Sequence, residues 1–145
     1  MKIVHTRDTM SDIYLDAVKI RRQVFMLEQG VPGEIEIDKY EAACIHFVLY
    51  GDENEAIATC RLLPLEDGLI KLQRMAVQKE YRGNDHGRLI VESAEQFSKE
   101  QGYRAMTLGA QITALGFYER MGYIKEGEMF LDANIEHYQM NKHFK

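Results

Sequence analysis

The 145-residue chain has little cysteine, little proline and no excess of positive charge. Its two cysteines, Cys44 and Cys60, each sit in an apolar run, with no CxxC pair and no histidine at ligand spacing. That excludes a disulfide framework or a zinc staple and leaves two reduced thiols in a core, as expected in the cytoplasm. The only prolines are Pro32 and Pro64, and there is no low-complexity linker or internal repeat. One domain spanning 1–145 is expected, large enough to bury a core without staples. No apolar run approaches the roughly 18 residues that a membrane span needs. The first residues, Met1-Lys2-Ile3-Val4-His5, lack the apolar stretch of a secretory leader. The 18 Lys and Arg fall short of the 23 Asp and Glu, for a net charge of −5. A general polyanion-binding surface is thereby excluded, and with it a nucleic-acid partner, while a local basic pocket stays open.

What is present is an ordered run of periodic segments. Lys2 to Thr6 reads as a short strand. Ser11 can cap a helix running to about Leu27, whose residues Ile13, Ala17, Ile20, Val24 and Leu27 make one buried face. Gly30, Pro32 and Gly33 break the chain, and an irregular acidic segment follows to about Ala43. Cys44–Tyr50, Ala56–Leu65 and Leu69–Val77 read as an antiparallel meander, with turn residues between them. His86 to about Gln101 has helical character, with Ile90, Ala94 and Phe97 on one side and Gly102 ending it. A strand at 103–108, a short helix at 113–121 and a closing hairpin at 123–131 and 136–142 complete the order β-α-β-β-β-α-β-α-β-β. That order predicts a mixed α/β sandwich with helices on the sheet faces.

The most informative junction is Tyr81-Arg82-Gly83-Asn84-Asp85-His86-Gly87-Arg88, between the third meander strand and the long helix. A helix start presents free N–H groups and about half a positive charge, and glycines let a backbone come close to a pyrophosphate. Residues 71–104 carry seven Lys and Arg against five acids, a local excess inside an acidic chain. The junction is neither a P-loop nor a dinucleotide fingerprint, and an ordinary strand-to-helix turn capped by Asn84 or Asp85 would use the same residues.

About 25 residues further on comes Gln111-Ile112-Thr113-Ala114-Leu115-Gly116-Phe117-Tyr118-Glu119-Arg120-Met121-Gly122-Tyr123. The two motifs in this order resemble the GNAT superfamily of acyl-CoA N-acyltransferases. Arg82 and Gly87 match the first and last positions of the family's Gln/Arg-x-x-Gly-x-Gly/Ala loop, and Ala114, Phe117, Tyr118 and Gly122 match its Asn-x-x-Ala-x-x-Phe-Tyr-x-x-x-Gly-Phe pattern. Val24–Pro32 with Glu36-Ile37-Asp38, and Phe130–Ile135 with His137 and Met140, are similar to the small ElaA/YjcF-like bacterial branch. Two positions depart from the pattern. Asp85 stands where the middle glycine is usual, and Gln111 stands where Asn is usual.

The resemblance implies an α/β fold with a mostly antiparallel mixed sheet, splayed at the cofactor strand, with helices on both faces. It implies transfer of an acetyl group from acetyl-CoA to a small-molecule or protein amine by direct attack in a ternary complex, with no metal. A homodimer would be in keeping with the superfamily. The cofactor would lie on Met75, Ala76 and Val77, on Arg82, Gly83, Asn84, Asp85, His86, Gly87 and Arg88, and on Gln111, Ala114, Phe117 and Tyr118. A lysine-like amine is neutral to about one part in 2,500 at pH 7, a deficit of about 4.6 kcal/mol, so a base or a desolvating site must help. Tyr118 is the candidate acid for the leaving thiolate. Candidate bases are Glu28 and Glu36 of the acidic segment, acting through water, and His137; His46 is a weaker one. Gln73 cannot serve as a base. A covalent role for Cys60 has nothing in the sequence behind it. The departures at Asp85, Gln111 and Gln73 motivate an alternative, a CoA-binding or sensing module with little turnover. An unrelated nucleotide-phosphate enzyme on a similar loop is a third reading.

Overall fold

A computed structural model describes residues 1–33 and 37–144. The elements in chain order are β1 (Lys2–Thr6), α1 (Asp12–Arg21), a π-helical turn (Arg22–Glu28), β2 (Ile45–Tyr50), β3 (Ala56–Pro64), β4 (Leu69–Val77), α2 (His86–Glu100), β5 (Ala105–Gln111), α3 (Leu115–Arg120), β6 (Ile124–Asp132) and β7 (Ile135–His143). Short 3₁₀ turns lie at Glu41–Ala43, Lys79–Tyr81 and Ile112–Ala114. The strands form one sheet in the order β1-β2-β3-β4-β5-β7-β6. Every neighbouring pair is antiparallel except β4 with β5. The predicted order of elements and the mixed sheet with helices on both faces are therefore what the chain forms.

Each face of the N-terminal half carries a helix, and β2 shows why its sequence is a continuous apolar run. Ile45, Phe47 and Leu49 pack with Ile90, Val91 and Ala94 of α2. Val48 and Tyr50 pack with Ala17, Ile20 and Val24 from the α1 side. A strand covered on both faces has no solvent side on which to place polar residues. Ser11 caps α1 as expected, its side chain accepting from the Tyr14 N–H at 3.2 Å.

The helix reading needs one correction. The α-helix stops at Arg21 and the chain continues as a π turn, with the Gln29 N–H bonded to the Val24 carbonyl at 3.1 Å. An i→i+5 turn holds more residues than an α turn, so it shifts the phase of the apolar stripe. Leu27, expected on the buried face, is 64% exposed as a result. The same shift turns Phe25 and Gln29 toward the cavity described below. The β6–β7 hairpin closes through Ala133 and Asn134, both at positive φ, the geometry of a two-residue type I′ turn.

Candidate active site

β4 and β5 pair from Leu69↔Ala105 to Leu72↔Leu108 and no further, although β4 runs on to Val77 and β5 to Gln111. The two strands thus part beyond Leu108. A bulge in β4 drives the separation. Arg61 pairs with Gln73 and Thr59 pairs with Ala76, so β4 holds one residue too many, and Arg74 sits at φ +54°. The bulge also reverses the strand's phase. Gln73 lies with Arg61 on the α1 face, whereas Met75 packs against the α2-side core and Ala76 against the α1-side core.

A cavity of about 640 Å³ fills the opening. One end is walled by the 81–88 loop, and the N–H groups of residues 83–88 have no partner among the described residues. Gly83 (φ +86°) and Asp85 (φ +65°) give the loop its concave backbone. The left-handed conformation at 85 explains why glycine is the usual residue there. Asp85 occupies the N-cap position but makes no capping bond; its carboxylate turns out to Arg88 Nη2 at 3.3 Å. His86 fixes the loop through Nδ1 to the Tyr81 carbonyl, at 2.9 Å. Gly87 lies against the Phe117 ring, to which a Cβ would come within 3.4 Å.

The two loop arginines differ from the sequence reading. Arg82 makes a bidentate pair with Glu28, both contacts at 2.8 Å, and its Nε donates to the Val77 carbonyl. Arg88 is shared between Asp85 and Glu92. The charges of the two loop arginines are therefore met by pairing, and the N–H groups without a partner are what the loop offers an anion.

α3 ends in a Schellman motif. The Tyr123 N–H reaches the Tyr118 carbonyl and the Gly122 N–H reaches that of Glu119, each at 3.0 Å, with Gly122 at φ +96°. The Tyr118 and Tyr123 rings meet edge-on at 5.6 Å, so the motif that stops the helix also fixes Tyr118. Tyr118 lines the cavity, and no hydrogen bond among the described residues engages its hydroxyl. Burial pushes the phenol above its usual range, with Cys60 nearby adding to the shift, so it stays protonated at neutral pH. Cys60 is buried as well, and its thiol is pushed up by desolvation, away from thiolate character.

His137, on β7, lines the cavity from the other side. Its Nδ1 lies 2.7 Å from the Ile135 carbonyl, which can only accept, so in the neutral ring Nδ1 carries the proton and Nε2 keeps its lone pair. Phe130 stacks on the ring at 5.6 Å. The Cδ2 edge of His137 lies 4.0 Å from where a Cβ on Gly109 would stand, which places it at the first β5 residue past the last bonded pair.

Most of the cofactor residues expected from sequence line this cavity: Met75, Ala76, Val77, Arg82, Gly83, Asp85, His86, Gly87, Arg88, Gln111, Ala114, Phe117 and Tyr118. Asn84 does not; it is exposed on the outside of the loop. Glu28 does not line the cavity either, and the hydrogen bonds from Arg82 hold its carboxyl below the usual range. Such a carboxylate is a weak base. Glu36 lies outside the described residues. His46 is buried under α1, away from the cavity, with Nε2 at 2.9 Å from the Glu41 carbonyl.

The sequence reading missed a buried ion network on the α1 face. Arg61 donates to Asp38 (2.8 and 3.0 Å), Glu41 (2.9 Å) and Gln73 (2.8 and 3.0 Å), and Arg21 Nη2 lies 2.7 Å from Glu41. Burial alone would raise the Asp38 and Glu41 carboxyls; the arginine hydrogen bonds and charges outweigh it and hold both below the usual range. These two acids are thereby committed, not displayed to an incoming amine. A charged residue inside the apolar run Ala58–Leu63 was the available signal.

A family model described as an acetyltransferase (GNAT) domain matches residues 24–144. The chain belongs to the GNAT acetyltransferase family. Among its GNAT relatives, the N-acetyltransferase YjcF of Bacillus subtilis is 38% identical over 128 residues, covering 88% of this chain and 90% of that protein. A Lactobacillus plantarum crystal structure assigned as an N-acetyltransferase superposes with a TM-score of 0.91 at 27% identity, covering 98% of this chain and 97% of that one. Escherichia coli ElaA superposes with a TM-score of 0.87 at 22% identity, covering 98% and 99%. A more distant structure of the same fold, the PaiA N-acetyltransferase of Thermoplasma acidophilum, is in complex with coenzyme A (TM-score 0.70, 16% identity, 99% and 100% covered). The ElaA/YjcF-like resemblance read from the sequence agrees with these matches.

Proposed function

We propose that this GNAT chain transfers an acetyl group from acetyl-CoA to a primary amine by direct attack in a ternary complex. The observation that carries the reading is the parting of β4 and β5, with the Tyr118 hydroxyl, unbonded among the described residues, on one side and the His137 ring, its Nδ1 turned to the Ile135 carbonyl, on the other. The coenzyme A in the PaiA complex supports the choice of cofactor. The 83–88 N–H groups would hold the pyrophosphate, and the edge of β4 freed by the parting offers backbone N–H groups to the pantetheine arm and the thioester oxygen. Bound there, the cofactor supplies an activated acyl carbon. His137 Nε2 takes the proton of the attacking amine as the N–C bond forms. Tyr118 gives its proton to the sulfur as the C–S bond breaks, and His137 or solvent restores it. The two buried free thiols and the lack, among the described residues, of any helix long and apolar enough to cross a membrane are in keeping with a cytoplasmic setting.

The test is release of free thiol from acetyl-CoA across an amine panel. Tyr118→Phe is expected to lower kcat about 10–100-fold and to leave the coenzyme A Kd nearly unchanged. His137→Gln is expected to lower kcat on a similar scale. Unchanged kcat in Tyr118→Phe, with chemistry shown to limit the rate, would remove Tyr118 from the acid role.

A further inference from the structure

The opening between β4 and β5 continues onto sheet that α1 does not cover. A second cavity of about 520 Å³ lies there, lined by Lys71, Thr107, Glu126, Gln139 and Asn141 among others, and it shares Lys71, Leu108, Gly109 and Phe130 with the first. Ile70 and Leu72 pack into the α2-side core, so Lys71 projects to the opposite face, the one that also carries Gln73. Lys71 thus stands at the junction of the two cavities.

No hydrogen bond or ion pair engages Lys71 among the described residues, and the nearby acids are otherwise occupied. Asp38 is held by Arg61 and Arg74, Glu41 by Arg21 and Arg61, and Glu126 accepts from Asn141 Nδ2. Among the described residues, Asp132, at the far end of β6, is the remaining carboxylate on the acceptor side of the first cavity. A lone ammonium beside an amine-binding site repels a simple cationic amine. It attracts an amine whose molecule also bears a negative charge. The spacing suits a small molecule. Lys71 pairs with Thr107, two residues or about 7 Å along the strand before Gly109, beside which the Cδ2 edge of the His137 ring lies, His137 itself pairing with Gln111.

We infer that the acceptor is a primary amine carrying an anion, a carboxylate or a phosphate, a few bonds away, and that Lys71 selects it by pairing with that anion. The inference rests on the acetyl-transfer reading above and names its substrate class.

Binding of acetylated products to the coenzyme A-loaded protein tests it without turnover. By calorimetry, N-acetyl-β-alanine is expected to bind about tenfold more tightly than N-acetyl-β-alaninamide, or N-acetylphosphoethanolamine about tenfold more tightly than N-acetylethanolamine. Whichever pair shows the preference tells carboxylate from phosphate. Lys71→Met is expected to bring that ratio close to one, and Lys71→Arg to restore it. General damage to the fold would weaken both members of a pair and leave the ratio intact. A ratio near one for both pairs in the unaltered protein, no binding of any of the four probes, or a ratio that survives Lys71→Met would overturn the inference. Absence of thiol release with every amine would instead remove the acetyl-transfer reading, since these ratios do not depend on turnover.

Discussion

Two sets of ion pairs flank the cleft, and they differ in what they can do. On the α1 flank, Arg21, Asp38, Glu41 and Arg61 form a network whose central guanidinium has no exposed surface. On the flank of the 81–88 loop, Arg82 and Glu28 pair with side chains 40% and 34% exposed. Opening the first would strand a charge in the core, so it serves as a fixed wall tying residues 38–41 to β3 and α1. Opening the second costs little, because water replaces each partner. A phosphate can therefore compete with Glu28 for Arg82, whereas no amine can compete with Arg61 for Asp38. Net charge along the chain does not reveal this, since both sets sum to nearly nothing.

The contrast can be broken most strongly at its buried end. Arg61→Met leaves Asp38 and Glu41 without their main partner and is expected to cost about 3–5 kcal/mol in a denaturant melt. A loss below about 1 kcal/mol would mean that the network is not a structural wall.

Acid probes the same flank through His46. Burial holds its pKa below the ordinary histidine value, outweighing the bond to the Glu41 carbonyl, and its Nδ1 is buried without a partner among the described residues. The unfolded chain therefore takes up a proton near pH 6.5 that the folded chain refuses. Stability is complete above that value and falls as pH drops through it, by up to about 1.4 kcal/mol per pH unit. The depressed Asp38 and Glu41 add a second loss, setting in near pH 4, where their unfolded forms protonate. Thermal melts at stepped pH should show both, and His46→Gln should flatten only the upper one.

The exposed flank should give the smallest effects. Glu28→Gln is expected to change folding stability by less than about 1 kcal/mol. It should tighten coenzyme A binding a few-fold at low salt, by releasing Arg82, with the gain shrinking as salt rises. Asp85→Gly relieves a left-handed residue and frees Arg88 from one carboxylate, so a gain of about 1 kcal/mol or less in stability and a modest gain in affinity are expected by melt and calorimetry. Weaker binding in either variant would show that the carboxylate helps shape the loop.

Much of this was legible in the sequence because it is written in local signals. Glycines at 83, 87 and 122 mark the loop and the end of α3, and the apolar runs of β2 and β3 announce strands covered on both sides. What was not legible depends on partners distant in the chain. Nothing local distinguishes the π turn at 22–28 from the α-helix before it, so Leu27 was placed inside. The acids at 38 and 41 find their partners, Arg61 and Arg21, on β3 and α1, about 20 residues away in the chain. Arg82 looked free until the π turn brought Glu28 to it. The bulge at Arg74 has no turn residue to announce it, although the parting of the strands beyond it was anticipated from the family resemblance.

The π turn also makes the lip of the cleft a matter of counting. Glu28 reaches Arg82 and Gln29 accepts from Gln111 Nε2 at 3.1 Å only because Arg22–Glu28 holds more residues than α-helical turns would. Deleting one residue from that turn would let the α-helix run through and would rotate everything after it by about 100°. Both contacts would swing away from the opening while the loop, β5 and the catalytic candidates stayed in place. Segment length, separately from side-chain identity, is thus a variable that sets how the entrance is closed.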